Sequence, residues 1–367
     1  MADPRQREDV ARIAPVLRGL LARPTDDHDR PFQPPILKFL GKKASPSALP
    51  LEAPGKNGPD DQWRSRLAVA LKKQRTKAVS FPGIGTFEIL DPQPTAGHDP
   101  RLLGRTALVT GAAGAIGYGI CRGLLDRGCH VAITDLPGKK FETFLAEFKK
   151  SDGDRVIGVP MDVTDATSVA SAFAAVAAAW GGVDIVVINA GIAATGALTD
   201  LDPATFQKLE RVNTEGTLLV LAEAGRHFAR QKIGGDVVLV STKNVFAPGA
   251  GFGAYSATKA AAHQLARIAS LEFAPLDVRV NMVAPDAVFS GGSHKSGLWA
   301  EVGPGRMKAR GLDEKGLEEF YRNRNLLKAK VTAEHVANAV LFFVTRQTPT
   351  TGACIPVDGG LPDATPR

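Results

Sequence analysis

Cysteine is scarce in this chain of 367 residues: Cys121, Cys129 and Cys354 are odd in number and form no CxxC pair. That excludes a disulfide scaffold and a thiolate zinc site, and it fits a reducing compartment. Long apolar runs are missing as well. None reaches the roughly 18 residues needed to cross a bilayer, so no membrane association is expected. The start, MADPRQREDV, is charged and lacks the apolar core of a secretory signal. Residues 11–21 carry arginine in an amphipathic pattern, as a transit peptide does, but Asp3, Glu8 and Asp9 count against one. A cytoplasmic location is expected. Only His28 and His98 precede residue 100, with no HxH spacing, so that stretch holds no clustered-histidine zinc site, and no metal is expected.

What is present is an ordinary globular composition, 44% hydrophobic and 23% charged. The length suits two domains, or one domain with an extension. The net charge of +7 lies mostly in the first hundred residues, for example Lys42-Lys43 and Lys72-Lys73-Gln74-Arg75. This describes either a solvated basic face or an arm for an acidic partner. Phe32, Phe39, Trp63, Phe81 and Phe87 are too scattered there for a nucleic-acid surface.

The composition changes near residue 100. Roughly half of the 25 prolines precede it, allowing only short helices, over 10–21 and 62–73. Residues 78–90 suit a strand or hairpin. Residues 1–101 are therefore read as a Pro-rich, basic N-terminal extension or small subdomain. After it, TALVT (106–110), CHVAIT (129–134), RVIGV (155–159), DIVVI (184–188), DVVLV (236–240), VRVNMV (278–283) and CIPV (354–357) alternate with helix-length segments. Near-continuous apolar strands separated by helices mean a parallel sheet covered on both faces. The expected class is α/β, a Rossmann-type doubly wound sheet of seven parallel strands over 102–367.

The first of these strands runs into Thr110-Gly111-Ala112-Ala113-Gly114-Ala115-Ile116-Gly117. A helix follows, with Ile116, Ile120 and Leu124 on one face and Gly128 as its stop. Glycines are needed where a chain turns tightly against a pyrophosphate and where helix meets strand, and a helix N-terminus offers free N–H groups to phosphates. The second strand ends in Asp135, placed to bind ribose hydroxyls. A carboxylate there repels the 2′-phosphate of NADP, so NAD is the favoured cofactor, although Lys139 and Lys140 follow closely. Asp162-Val163 ends the third strand and Asn189-Ala190-Gly191 the fourth, where ligands sit in open sheets.

Tyr255 and Lys259 stand four apart at the start of a helix striped by Leu265 and Ile268, which puts both on one face. Holding a tyrosine as phenolate at neutral pH needs about 4 kcal/mol of differential stabilisation, which nearby positive charges supply. With the Gly-rich turn, Asn-Ala-Gly and a closing Val357-Asp358-Gly359-Gly360, this pattern resembles the short-chain dehydrogenase/reductase family across residues 102–367. The resemblance implies that Tyr255 is the general acid/base and that Lys259 binds the nicotinamide ribose and lowers the Tyr255 pKa. It implies that Asn213 completes a proton relay, and that a hydroxyl orients the substrate. That hydroxyl is Thr242, where the family has Ser, or its neighbour Ser241. The cofactor contacts implied are Gly111, Gly114, Ile116, Gly117, Asp135, Asp162, Val163, Asn189, Ala190, Gly191, Tyr255, Lys259, Pro285, Val288 and Ser290. Ile188 replaces the family's doubled Asn, and Asp286 stands where Gly commonly follows Pro285.

STKNVFAP (241–248), PDAVFSGG, SGLWAEVG and PVDGGLPDATPR resemble the dehydrogenase half of bifunctional rhamnulose-1-phosphate aldolase/alcohol dehydrogenases. That likeness implies NAD-linked oxidation of a small hydroxyaldehyde, polyol or sugar phosphate. The aldolase half is missing, though PGIGTF (82–87) is similar to its tail. Residues 289–330 form the long segment between the last two strands and are expected to cover the substrate. Their Lys295, Arg306, Lys308, Arg310, Arg322, Arg324, Lys328 and Lys330 suit either an anionic substrate group or solvated helices balanced by Asp313, Glu314, Glu318 and Glu319. Ser241, Asn244 and His294 are the candidate substrate contacts. A ketone or 3-oxoacyl reductase using NADPH is the competing enzyme, and an NAD-binding scaffold with a basic arm the competing class. A homodimer or homotetramer pairing through residues 204–230 and 254–274 is what the resemblance implies.

Overall fold

A computed structural model describes residues 4–42, 45–55, 58–73 and 76–364. Lys43, Gln74 and Arg75 of the basic runs, and the last three residues of PVDGGLPDATPR, lie outside the described residues. The chain opens with α1 (Pro4–Leu21), β1 (Arg23–Pro24), β2 (Phe32–Gln33), β3 (Ile36–Phe39), β4 (Leu49–Pro50), α2 (Asp61–Lys73), β5 (Ala78–Phe81) and β6 (Gly85–Leu90). The 78–90 segment is a β5–β6 hairpin within a four-stranded sheet ordered β3-β6-β5-β4. Val10, Ile13, Leu17, Trp63, Leu67, Phe81 and Phe87 fill a separate apolar core beneath it.

Next come β7 (Thr106–Val109), α3 (Ala115–Asp126), β8 (His130–Asp135), α4 (Lys139–Asp152), β9 (Val156–Pro160), α5 (Ala166–Trp180), β10 (Ile185–Ile188), α6 (Pro203–Leu209), α7 (Gly216–Gln231), β11 (Gly235–Val240), α8 (Gly253–Glu272) and β12 (Val278–Pro285). The insertion holds β13 (Ser290–Gly291), β14 (His294–Lys295), α9 (Gly297–Arg310) and α10 (Glu314–Asn323), and α11 (Ala333–Val344) and β15 (Cys354–Val357) complete the fold. The seven long strands form one parallel sheet ordered β15-β12-β11-β10-β7-β8-β9. Residues Ile185–Ile188 are buried on both sides, which accounts for the unbroken apolar runs. One core layer joins α3, α4 and α11 to the sheet, the other α5, α7 and α8. Leu265 packs on the second core while Ile268 is exposed, so the stripe expected on that helix is narrower than its sequence suggests.

The N-terminal elements are fastened to the sheet by buried charge. α1 lies on α5 and α7, so tightly that a Cβ on Gly19 would sit 1.9 Å from the Gln231 carbonyl oxygen. Arg18 donates to both carboxylate oxygens of Asp184, at 2.7 and 2.8 Å. Arg30 and Arg346 share Asp236. Both aspartates stand at the amino ends of central strands, the sheet edge opposite the one that carries the cleft described next. Among the described residues no helix is long and apolar enough to cross a membrane, and no group of three or more His, Cys, Asp or Glu is placed to hold a metal.

Candidate active site

The turn between β7 and α3 can be built only with glycine at two points. Gly111 has φ +58°, and a Cβ there would come within 2.6 Å of Ala190 Cα. A Cβ on Gly117 would lie 2.3 Å from the Ala112 carbonyl oxygen, so helix and turn could not approach. Asn189 staples the turn to the end of β10, its Nδ2 donating to the Thr110 and Gly111 carbonyls at 3.0 and 2.8 Å. Thr110 Oγ1 accepts from the amides of Asn189 and Ala190. Asp135 Oδ2 accepts from the Ala113 amide at 2.9 Å, bringing the end of β8 to the same place. Gly114 leads into α3 without a side-chain cap, so the N–H groups of that helix start stay open to an anion. Ser290 and Gly291 run against this helix start, since a Cβ on Gly291 would meet the Ala115 carbonyl oxygen at 2.1 Å. Asp162 accepts from the Thr164 amide and hydroxyl, each at 2.8 Å, and Val163 packs on Gly216. These features fit a dinucleotide: a pyrophosphate against the turn and a ribose at Asp135.

Asn213 lies in a π-helical stretch, Glu210–Glu215, between α6 and α7. Such widened turns are rare and carry one extra residue per turn. Here the extra residue leaves Asn213 fully buried, its Oδ1 accepting from the Ile192 amide and its Nδ2 donating to the Ile192 carbonyl and Thr258 Oγ1. It therefore fixes the chain beside Gly191, whose Cβ position would be 3.2 Å from Asn213 Oδ1 and 3.8 Å from Lys259 Nζ.

Tyr255 and Lys259 open α8 on its inner face. Lys259 Nζ donates to the Val240 carbonyl at 2.7 Å. Burial pushes its ammonium down to about 8. Burial pushes the Tyr255 phenol up to about 12, opposed by a hydrogen bond from Thr242. The protein's own groups therefore hold the phenol above its ordinary value, not below it as the sequence suggests. Ser241, by contrast, has its hydroxyl on His263 Nδ1 at 3.0 Å. Of the two candidate hydroxyls, the structure brings Thr242 to the tyrosine and engages Ser241 elsewhere.

These groups line a cleft of about 140 Å³ at the carboxyl ends of the strands, together with Ile116, Asn189, Gly191, Asn244, Pro285 and Val288. The insertion roofs it with Trp299, stacked on Phe289 at 4.6 Å, and Tyr321. His294 is not brought there. It bonds Glu147 on α4 at 2.9 Å and packs against Tyr118 and Phe144, docking the insertion on α3 and α4, so its assignment as a substrate contact is withdrawn. Lys243 and Phe252, which sequence reasoning did not single out, line the cleft instead, together with the ion pair Asp286–Arg324. Lys243 had a signal, since it directly follows the hydroxyl at the end of β11.

Residues 105–301 match the family described as short chain dehydrogenase. An uncharacterised oxidoreductase of Bacillus subtilis, YuxG, is 37% identical over 301 residues, which are 82% of this chain and 43% of that relative. The mitochondrial (-)-isopiperitenol/(-)-carveol dehydrogenase of Mentha piperita is 35% identical over 71% of this chain and 94% of its own. Among solved structures, sorbitol-6-phosphate 2-dehydrogenase from Erwinia amylovora superposes with a TM-score of 0.64 at 25% identity, covering 70% of this chain and 98% of that one. The chain belongs to the short-chain dehydrogenase family, and it is an oxidoreductase.

Proposed function

We propose that the protein is an NAD-dependent dehydrogenase of a small hydroxyaldehyde, polyol or sugar phosphate, with residues 102–367 as its catalytic part. The observation that carries this reading is the meeting of Tyr255 with Thr242, one helical turn before Lys259, in a small cleft beside the Gly111–Gly117 turn. A bound nicotinamide supplies the hydride acceptor. The turn and the start of α3 hold the pyrophosphate, and Asp135 takes the ribose hydroxyls while opposing a 2′-phosphate. Tyr255 removes the proton from the substrate hydroxyl, and Thr242 holds that oxygen in line. To act near neutral pH the phenol has to come down from about 12; the positive charges of Lys259 and of the cofactor ring lower it. Asn213, by fixing Ile192 and Thr258, orients the wall of the site and completes the proton path behind Lys259.

A hydrated aldehyde is a geminal diol and loses a proton and a hydride as an alcohol does. Lactaldehyde is therefore a fitting candidate, in line with the likeness to the dehydrogenase half of aldolase/alcohol dehydrogenases. The 301 residues aligned with YuxG outnumber those after Arg105, so that match reaches into the N-terminal segment. Leu218 on α7 and Ile268 and Leu271 on α8 are exposed, which supports homo-oligomers paired through these helices.

The test is reduction of NAD⁺ by the purified protein with lactaldehyde, sorbitol, sorbitol 6-phosphate and a simple secondary alcohol. Turnover on one of them, lost in Tyr255→Phe and weak with NADP⁺, is the expected result. Cofactor binding without turnover on any, in either direction and with either cofactor, overturns the reading.

A further inference from the structure

Four cations line the cleft, Lys243, Lys259, Arg306 and Arg324, against one carboxylate, Asp286, among the described residues. Two of the four are already engaged. Lys259 is fixed on Val240, and Arg324 reaches both oxygens of Asp286. The others have donors to spare. Lys243 gives one hydrogen bond, to the Ala247 carbonyl at 3.0 Å, and an ammonium has three donors. Arg306 lies over the Phe252 ring at 4.8 Å and makes one long contact, 3.5 Å, to the Ala250 carbonyl. Its Nε is buried with no partner among the described residues. An unpaired buried donor is costly, and a ligand oxygen is what would satisfy it.

We propose that Lys243 and Arg306 form an anion subsite, which holds a phosphate or carboxylate carried by the substrate a few bonds from the carbon that reacts at Tyr255. This rests on the assignment of Tyr255 as the reacting end. Phe252, beneath Arg306, has its ring 6.1 Å from that of Tyr255, so the two ends of the substrate lie one side chain apart. The electrostatics agree with the geometry. Burial holds Lys243 below its ordinary value, and the nearby Arg324 and Arg306 charges push the same way against Asp286 and Asp363. An incoming anion relieves that crowding. Several other basic residues of the roof are engaged away from the cleft, Lys295 on Glu314, Arg322 on Glu319 and Lys330 on Glu318, with Arg310 over the Phe320 ring. Arg306, by contrast, lines the cleft and keeps its buried Nε without a partner among the described residues.

The experiment is calorimetric titration of the full chain, saturated with NAD⁺, with two matched pairs: sorbitol 6-phosphate against sorbitol, and 3-hydroxybutyrate against 2-butanol. At least one anionic member is expected to bind tenfold or more tightly than its neutral analogue, and which pair shows it separates a phosphate from a carboxylate. In Lys243→Met and in Arg306→Met that preference is expected to fall tenfold or more. Absence of any anion preference, or a preference that both variants keep, overturns the proposal, even where neutral alcohols are oxidised with Tyr255 dependence. Anion preference that both variants lose, on an enzyme with no Tyr255-dependent turnover, supports the subsite and overturns the dehydrogenase reading instead.

Discussion

Arg18 and Asp184, 166 residues apart, meet through two charge-assisted hydrogen bonds of 2.7 and 2.8 Å, with side-chain exposures of 0% and 3%. The same carboxylate accepts from the Thr106 amide and from Gln231, so one aspartate joins α1, β7, α7 and the start of β10.

Replacing Arg18 by Ala should cost about 3–5 kcal/mol, because it leaves a buried charge without its partner. Burial raises the Asp184 carboxyl, but Arg18 and Arg105 outweigh it and hold the group well below the usual range. A depressed carboxyl stabilises the fold above its unfolded value, near 4, and loses that contribution as the pH falls through the folded value. The urea midpoints of wild type and Arg18→Ala should therefore lie far apart at pH 7 and converge in acid. A gap that does not change with pH would refute the ion pair as its cause.

Thr242→Val should lower kcat/KM by about two orders of magnitude, the usual scale for a lost contact to a reacting oxygen. Thr242→Ser should keep most of the activity. Ser241→Ala, which removes only the partner of His263, should stay within about tenfold of wild type. Equal losses in Thr242→Val and Ser241→Ala would reverse the assignment of the hydroxyl.

Lys259 gives a stability effect of the same sign at the alkaline end, through the cost of burying a charge. Its folded value is pushed down to about 8 against an unfolded value near 10.4. Below about 8 the ammonium is charged in both states and its burial counts fully against the fold. Between about 8 and 10 the folded state sheds the proton first, so stability rises with pH. Without cofactor, the Tm of wild type relative to Lys259→Met should climb over that interval. A difference that stays flat from pH 7 to 10 would mean that the ammonium is not desolvated.

Asp135→Ala should raise the ratio of kcat/KM for NADP⁺ to that for NAD⁺ by about tenfold or more, since it removes the charge facing the 2′-phosphate. Lys139 and Lys140, which begin α4 just beyond it, are placed to help. The Ala113 amide loses its acceptor as well, so some weakening with both cofactors should accompany the switch. An unchanged ratio would remove Asp135 from cofactor selection.

The strands were legible because each is sealed on both faces, and sealing writes a run of apolar residues that needs no knowledge of neighbours. Tyr255, Lys259 and the glycine turn were legible because their geometry is local: one helix face, one tight turn. What stayed hidden depends on contacts distant in sequence. Nothing in the spacing around Asn213 announces a π-helical turn. Arg306 and Arg324 cannot be told from Arg322 until the roof is folded and one set faces inward. His294 looked free because Glu147, its partner, belongs to another part of the chain. Arg18 and Arg30 add to the basic excess of the first hundred residues, yet both are buried, which composition does not reveal.

The clamp at Asp184 and Asp236 also fixes which end of the sheet the N-terminal segment is tied to. The strands that begin there run four to six residues, about 15 to 20 Å, before reaching the cleft. Arg18 and Arg30 thus moor the N-terminal segment at the blind end of the sheet, as a stern line holds a boat.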